Sequence, residues 1–133
     1  MLFLDTSALV KRYVAEPGSA LVARRMEGDP EWVVSAVAST EARITLCRLG
    51  FDEGDGTGVW ARLREDLKRC LIVPLDQACL DRAADIGCRF GIRTLDALHL
   101  AAAERLPRPL AMITFDRRQA RAARSMDLPV EGV

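Results

Sequence analysis

Residues 2–9 read Leu-Phe-Leu-Asp-Thr-Ser-Ala-Leu, and residues 110–118 read Leu-Ala-Met-Ile-Thr-Phe-Asp-Arg-Arg. Each is a short apolar run closed by an aspartate and followed at once by residues with helical spacing. Runs of this length are strands rather than helices, and Asp is a favoured helix N-cap, so both stretches read as a strand turning directly into a helix. Strands without polar alternation are buried on both faces, the condition of a parallel sheet covered by helices.

The same alternation continues along the chain. Strands are expected at Leu2 to Leu4, Trp32 to Ser35, Leu71 to Pro74, Leu110 to Phe115 and, as an edge, Leu128 to Val130. Helices are expected at Ser7 to Val14, Pro17 to Met26, Ala36 to Leu49, a stripe through Trp60, Leu63, Leu67 and Cys70, then Asp76 to Phe90, Leu95 to Leu106 with Thr94 as cap, and Arg117 to Met126. Gly28, Gly50 and Gly91 stand where helices stop, and Pro107 closes another. The fold class is therefore α/β, a five-stranded, mostly parallel sheet with helices on both faces. At 133 residues the chain fits one domain, 1–133, with no repeat or linker.

Lys and Arg together number 19, as do Asp and Glu, and half the residues are apolar. Disorder and a strongly basic nucleic-acid module are both excluded by that balance. No apolar stretch is long enough to span a membrane and none follows a basic leader, so a cytoplasmic protein is expected. Cys47, Cys70, Cys79 and Cys88 lack paired zinc-type spacing and read as small buried hydrophobes in a reducing compartment. Asp52, Glu53 and Asp55, between Gly50 and Gly58, do not follow a calcium-loop pattern and read as a solvated turn.

Four carboxylates stand out by position. Asp5 and Asp116 end strands, where ligands of open parallel sheets bind. Glu41 interrupts the apolar face of its helix, and Asp96 lies in a helical first turn, near the positive end of the dipole. Each has an ordinary reading: caps for Asp5 and Asp116, dipole compensation for Asp96, an ion pair with Arg43 or Arg93 for Glu41. Together they are better explained by one shared cation, because clustered acids repel unless something positive lies between them. Oxygen ligands without a His or Cys pattern suit Mg²⁺, or Mn²⁺, and two ions would explain four acids.

Supporting candidates surround these four. Thr6, Ser7 and Thr114 are placed to hydrogen-bond the acids. Arg12, Arg117 and Arg118 are candidate phosphate contacts, with Lys11, Arg121 and Arg124 nearby, though a solvated face is the default for such runs. His99, three residues beyond Asp96, is favoured as a satisfied core histidine over a general acid.

Leu4-Asp5-Thr6-Ser7-Ala8-Leu9, Ser39-Thr40-Glu41, Arg93-Thr94-Leu95-Asp96-Ala97-Leu98-His99 and Thr114-Phe115-Asp116, taken in this order, resemble a PIN domain, and within that family the VapC toxins of toxin-antitoxin pairs. The resemblance implies a three-layer α/β/α fold, Mg²⁺- or Mn²⁺-dependent ribonuclease activity, an antitoxin whose tail enters the active-site groove, and a homodimer. It makes Asp5 and Asp96 metal ligands, adds Glu41 and Asp116 to the pocket, and gives Ser7 or Thr114 an assisting role. Arg118 departs from the pattern, since many relatives carry another acid there.

The expected chemistry is hydrolysis of RNA phosphodiesters by metal-activated water, leaving 5′-phosphate and 3′-hydroxyl ends. One alternative is a non-cleaving PIN-like module that binds RNA or protein, which four acids in a phosphate pocket disfavour. Another is a phosphatase of the haloacid-dehalogenase type. That chemistry needs a second Asp two residues after the first, where this chain has Ser7, and a prominent lysine, where it has only Lys11 and Lys68.

Overall fold

The computed structural model describes residues 1–52 and 54–133; Glu53, in the turn expected from sequence, lies outside the described residues. In chain order the elements are β1 (Leu2–Leu4), α1 (Thr6–Lys11), α2 (Ser19–Gly28), β2 (Trp32–Ser35), α3 (Ala38–Arg48), α4 (Val59–Arg69), β3 (Leu71–Val73), α5 (Gln77–Phe90), α6 (Thr94–Glu104), β4 (Ala111–Ile113), α7 (Arg117–Ser125) and β5 (Val130–Glu131).

The five strands form one sheet in the order β3-β2-β1-β4-β5, and every pairing is parallel. The central strand β1 aligns Leu2, Phe3 and Leu4 with Ala111, Met112 and Ile113 of β4. Period-two alternation sends those three side chains to opposite faces, and two apolar clusters result. Leu2 and Leu4 pack with Leu9, Val22, Trp32, Leu46 and Leu63 on one face, while Phe3 packs with Val33, Ile86, Leu100 and Met112 on the other. Each fully buried Leu or Phe contributes roughly 1.5–3 kcal/mol of transfer free energy.

Chain order reverses direction at β1: β2 and β3 lie to one side, β4 and β5 to the other. The carboxyl ends of β1 and β4 therefore flank the crevice that this topology opens for ligands.

Three expectations need correction. Thr94 is the first residue of α6, not its cap; Arg93 holds the extended N-cap conformation and makes no side-chain capping bond. Its guanidinium is drawn to two carboxylates instead, as described below. The cysteines are all free, but only Cys79 is buried; Cys47 and Cys88 are exposed on the outer faces of α3 and α5, and Cys70 is half-buried. Finally, β3 is an edge strand rather than a strand covered on both faces, and its Leu71 and Ile72 are each 53% exposed. Among the described residues no helix is long and apolar enough to cross a membrane.

Candidate active site

Asp5 leaves β1 and caps α1 in a single step: its Oδ1 accepts from the Ala8 backbone N–H at 2.9 Å and from the Ser7 hydroxyl at 2.8 Å. Its Oδ2 accepts from the Thr114 hydroxyl, 2.8 Å away at the end of β4. Only 4% of Asp5 is exposed. Burial pushes its pKa above the ordinary value of 3.8, and the hydrogen bonds and the nearby His99 only partly offset that rise. The cap and the functional reading of Asp5 are not exclusive, because capping engages Oδ1 while Oδ2 takes a single protein bond, from Thr114.

Asp116 repeats the arrangement at β4. Its Oδ1 accepts from the backbone N–H groups of Arg118 and Gln119, capping α7, and Thr114 in turn accepts from the Asp116 N–H. Thr114 therefore ties Asp5 to the loop carrying Asp116. Ser7 does so too, since its oxygen accepts from the Phe115 N–H at 3.0 Å.

Glu41, in the first turn of α3, accepts at Oε1 from the Thr6 hydroxyl at 2.7 Å and lies 2.6 Å from His99 Nε2. Burial opposes its ionisation, but the bonds from His99 and Thr6 and the charges of His99 and Arg93 prevail and hold its pKa below the usual value. His99 itself is buried, with Nδ1 2.9 Å from the Ser35 hydroxyl and its ring edge-on to Phe3. A proton on Nε2 lets the ring donate to Glu41 and accept from Ser35. It is a satisfied core histidine, as expected, and it also fixes the direction of a carboxylate. Replacing it by Leu is expected to cost about 1–3 kcal/mol by leaving Ser35 unpartnered and Glu41 with the Thr6 hydroxyl alone. An unchanged urea midpoint would reduce the ring to a space-filling part.

Asp96, in the first turn of α6, receives Arg93 Nε at 3.0 Å, and Arg93 Nη2 reaches Asp116 at 3.4 Å. The Arg93 side chain is 76% exposed and bridges the two acids from the solvent side. From the inner side, Gln119 Nε2 donates to the Asp96 carbonyl oxygen and holds α7 against α6.

Asp5, Glu41, Asp96 and Asp116 all line one cleft of about 330 Å³, with Thr6, Ser7, His99 and Lys11. Four acids from four separate elements thus share a pocket at the switch point. Among the described residues, however, no three His, Cys, Asp or Glu side chains are drawn together as a ready-made cation cage. Arg93 stands between two of the acids, and Asp5 is turned towards its own donors.

The phosphate candidates divide. Arg12 is not in the cleft lining: its Nε pairs with Asp66 at 3.4 Å, beside the Tyr13 hydroxyl that donates to the same carboxylate. Its neighbour Lys11 lines the cleft instead, bound to Glu16 at 3.1 Å and lying over the Phe115 ring. Arg117 and Arg118 are exposed on α7 just past Asp116. Glu41 pairs with neither Arg43, which lies over Trp60, nor Arg93 at bonding distance. Sequence reasoning missed the bridging role of Arg93, although its i,i+3 spacing from Asp96 is a readable ion-pair signal. It also missed the buried Asp66, which nothing in the amphipathic pattern of α4 separates from a solvated acid.

Residues 2–125 match the family model described as PIN domain. The chain belongs to the PIN domain family. Within it, the chain is 35% identical over 130 residues to Ribonuclease VapC46 of Mycobacterium tuberculosis strain H37Rv, covering 97% of this chain and 95% of the relative. It is 34% identical over 119 residues to Ribonuclease VapC47 of strain CDC 1551, covering 89% and 86%. Among solved structures, the PIN domain here superposes on a chain of a toxin-antitoxin complex from Klebsiella pneumoniae with a TM-score of 0.68, at 18% identity and 87% coverage of each chain. That likeness is one of fold.

Proposed function

We propose that this PIN domain is a metal-dependent endoribonuclease, the toxin of a type II toxin-antitoxin pair, acting on RNA in the cytoplasm. The observation that carries the reading is the meeting of Asp5, Glu41, Asp96 and Asp116 in one cleft at the carboxyl ends of β1 and β4. The VapC ribonucleases that share a third of its sequence over nearly its whole length support the same activity.

The donor set suits a hard divalent cation, Mg²⁺ or Mn²⁺: it is all oxygen, it is anionic, and the arginine spanning Asp96 and Asp116 is exposed. Asp5 and Asp96 are the principal ligands in this reading, with Glu41 and Asp116 completing the set. When bound, such an ion polarises a water for attack and neutralises charge on the phosphate.

The chain's own groups do the rest. Ser7, Thr114 and the Ala8 N–H orient the Asp5 carboxylate so that it need not reorganise during the reaction. Glu41 takes both its protein bonds on Oε1, which leaves Oε2 to accept a proton from the attacking water. Arg93, released from Asp96 and Asp116, is placed to pair with the scissile phosphate. His99 is committed to Ser35 and Glu41 and is not available to activate a 2′-hydroxyl. Cleavage should therefore leave 5′-phosphate and 3′-hydroxyl ends.

Purified protein is expected to cut single-stranded RNA with Mg²⁺ or Mn²⁺ and to stop in chelator. Mapping of product ends checks the chemistry, and a 2′,3′-cyclic phosphate would count against it. The partners in this reading are the RNA, a cognate antitoxin and a second copy of the chain. The antitoxin is suggested by the complex that contains the Klebsiella chain. The second copy is suggested by the exposed Ile44, Leu49, Leu71 and Ile72.

A further inference from the structure

The cleft accounts for the scissile phosphate but not for the path of the strand beyond it. Resting on the ribonuclease reading, we propose that the outer face of α7 is a phosphate-binding track, Arg117-Arg121-Arg124, that holds single-stranded RNA as it leaves the cleft.

Spacings of four and three residues put these arginines on one helix face, and seven residues of helix span about 10 Å. The opposite face, with Gln119, Ala120, Ala122 and Ala123, is buried, so α7 cannot turn its arginines inward. The three line a groove of about 600 Å³ with Ser125 and Val133. Groove and cleft are lined by consecutive residues at the start of α7: Asp116 lines the cleft and Arg117 lines the groove.

What distinguishes this face is that its arginines lie in a row along one groove, whereas several other arginines are tied to acids. Arg25, Arg82, Arg93 and Arg105 each have a carboxylate partner. Among the described residues Arg117 and Arg121 have no carboxylate partner, while Arg124 is held by an oxygen of Val133 at the other end of the groove. Like charges in a row on one face, two of them uncompensated, raise a local positive potential, which an anionic strand relieves. The guanidinium fork matches phosphate bidentately. A strand fits better than an acidic peptide because the row is continuous with a cleft whose own walls are acidic. A peptide carrying carboxylates would be repelled at that end, whereas RNA arrives there with the bond to be cut.

The test measures binding of an oligouridine dodecamer and trimer to Asp5→Asn protein across a salt series, beside cleavage of the same RNAs by protein with Asp5 intact. Replacing Arg121 and Arg124 together by Gln is expected to lower the slope of log K against log salt by about 1.4, or about 0.7 for each lost phosphate contact. Dodecamer binding should weaken far more than trimer binding. Arg89→Gln, on the exposed side of α5, is the control and should leave the slope unmoved. Both replaced arginines are exposed, and an unchanged thermal midpoint confirms that the fold survives.

A slope no different from the control overturns the track, while continued cleavage would leave the ribonuclease reading intact. Oligoglutamate that binds as tightly as the dodecamer, and weakens with the same substitutions, overturns it in favour of a protein ligand. Absence of cleavage of any RNA with Mg²⁺ or Mn²⁺ overturns the reading beneath it.

Discussion

Asp5→Asn is expected to slow RNA cleavage by about 10³-fold, roughly 4 kcal/mol in the barrier, while raising the thermal midpoint of the metal-free protein at neutral pH. Loss of activity follows, on the proposed reading, from removing one of the acids that would hold the metal. The gain in stability follows from the burial of that same carboxylate. Its pKa in the fold lies above the ordinary value of 3.8, mainly because desolvation penalises the charged form. A group shifted in this direction contributes stability that is fully present below its unfolded pKa and lost as pH rises through its folded pKa. As pH rises the native protein therefore bears a growing cost of ionising a buried acid, which a neutral amide does not bear.

Asn is also a good helix N-cap, and its side-chain oxygen can still accept from the Ala8 N–H, so α1 keeps its start. Thermal scans in chelator between pH 4 and pH 8 provide the check. The variant's advantage should appear as pH rises and vanish towards pH 4. A variant less stable than its parent at neutral pH would mean that the bonds from Ser7 and Thr114 outweigh desolvation, and that Asp5 is held for structure rather than strained for function.

Asp5 also shows why the fold was more legible than the site. Leu2-Phe3-Leu4 is apolar at every position because both faces of β1 are covered, and a continuous apolar run is what such a strand looks like in sequence. β3 shows where that rule fails. Leu71-Ile72-Val73 has the same composition, yet it sits at the sheet edge with two side chains half in solvent, because composition carries no information on strand order. Asp5 and Asp116 are both helix caps, the ordinary reading of each, and the cap uses one of the two oxygens of each carboxylate, so it does not by itself exclude a second role. The candidate acids were readable one at a time from their positions at strand and helix ends. What joins them was not: Thr6 to Glu41, Thr114 to Asp5 and Arg93 across Asp96 and Asp116 are contacts between elements or across a turn. The contrast between Lys11 and Arg12 is of the same kind. Neighbours in a helix point about 100° apart, and only the placement of Asp66 on α4 decides that Arg12 turns from the cleft.

Combining Asp5→Asn with Asp96→Asn separates a shared cation from independent roles. Asp96→Asn alone is also expected to cost about 10³-fold in cleavage, with a loss of at most about 1 kcal/mol in stability from the helix dipole. Groups that act independently multiply, so the double variant would then fall by about 10⁶-fold. Groups that serve one ion do not. Once the first substitution has emptied the site, the second has little left to remove, and the double variant should stay near 10³-fold. Arg93 gives the cycle a second readout. It bridges Asp96 and Asp116 at 3.0 and 3.4 Å, so a cation entering between those acids must first displace a tethered one. Arg93→Gln should therefore tighten Mn²⁺ binding, measured calorimetrically, and Asp96→Asn should weaken it whether or not Arg93 is present. Multiplicative kinetics, together with Mn²⁺ binding indifferent to both Asp5 and Asp96, would place any metal elsewhere and leave the four acids of this cleft without a common purpose.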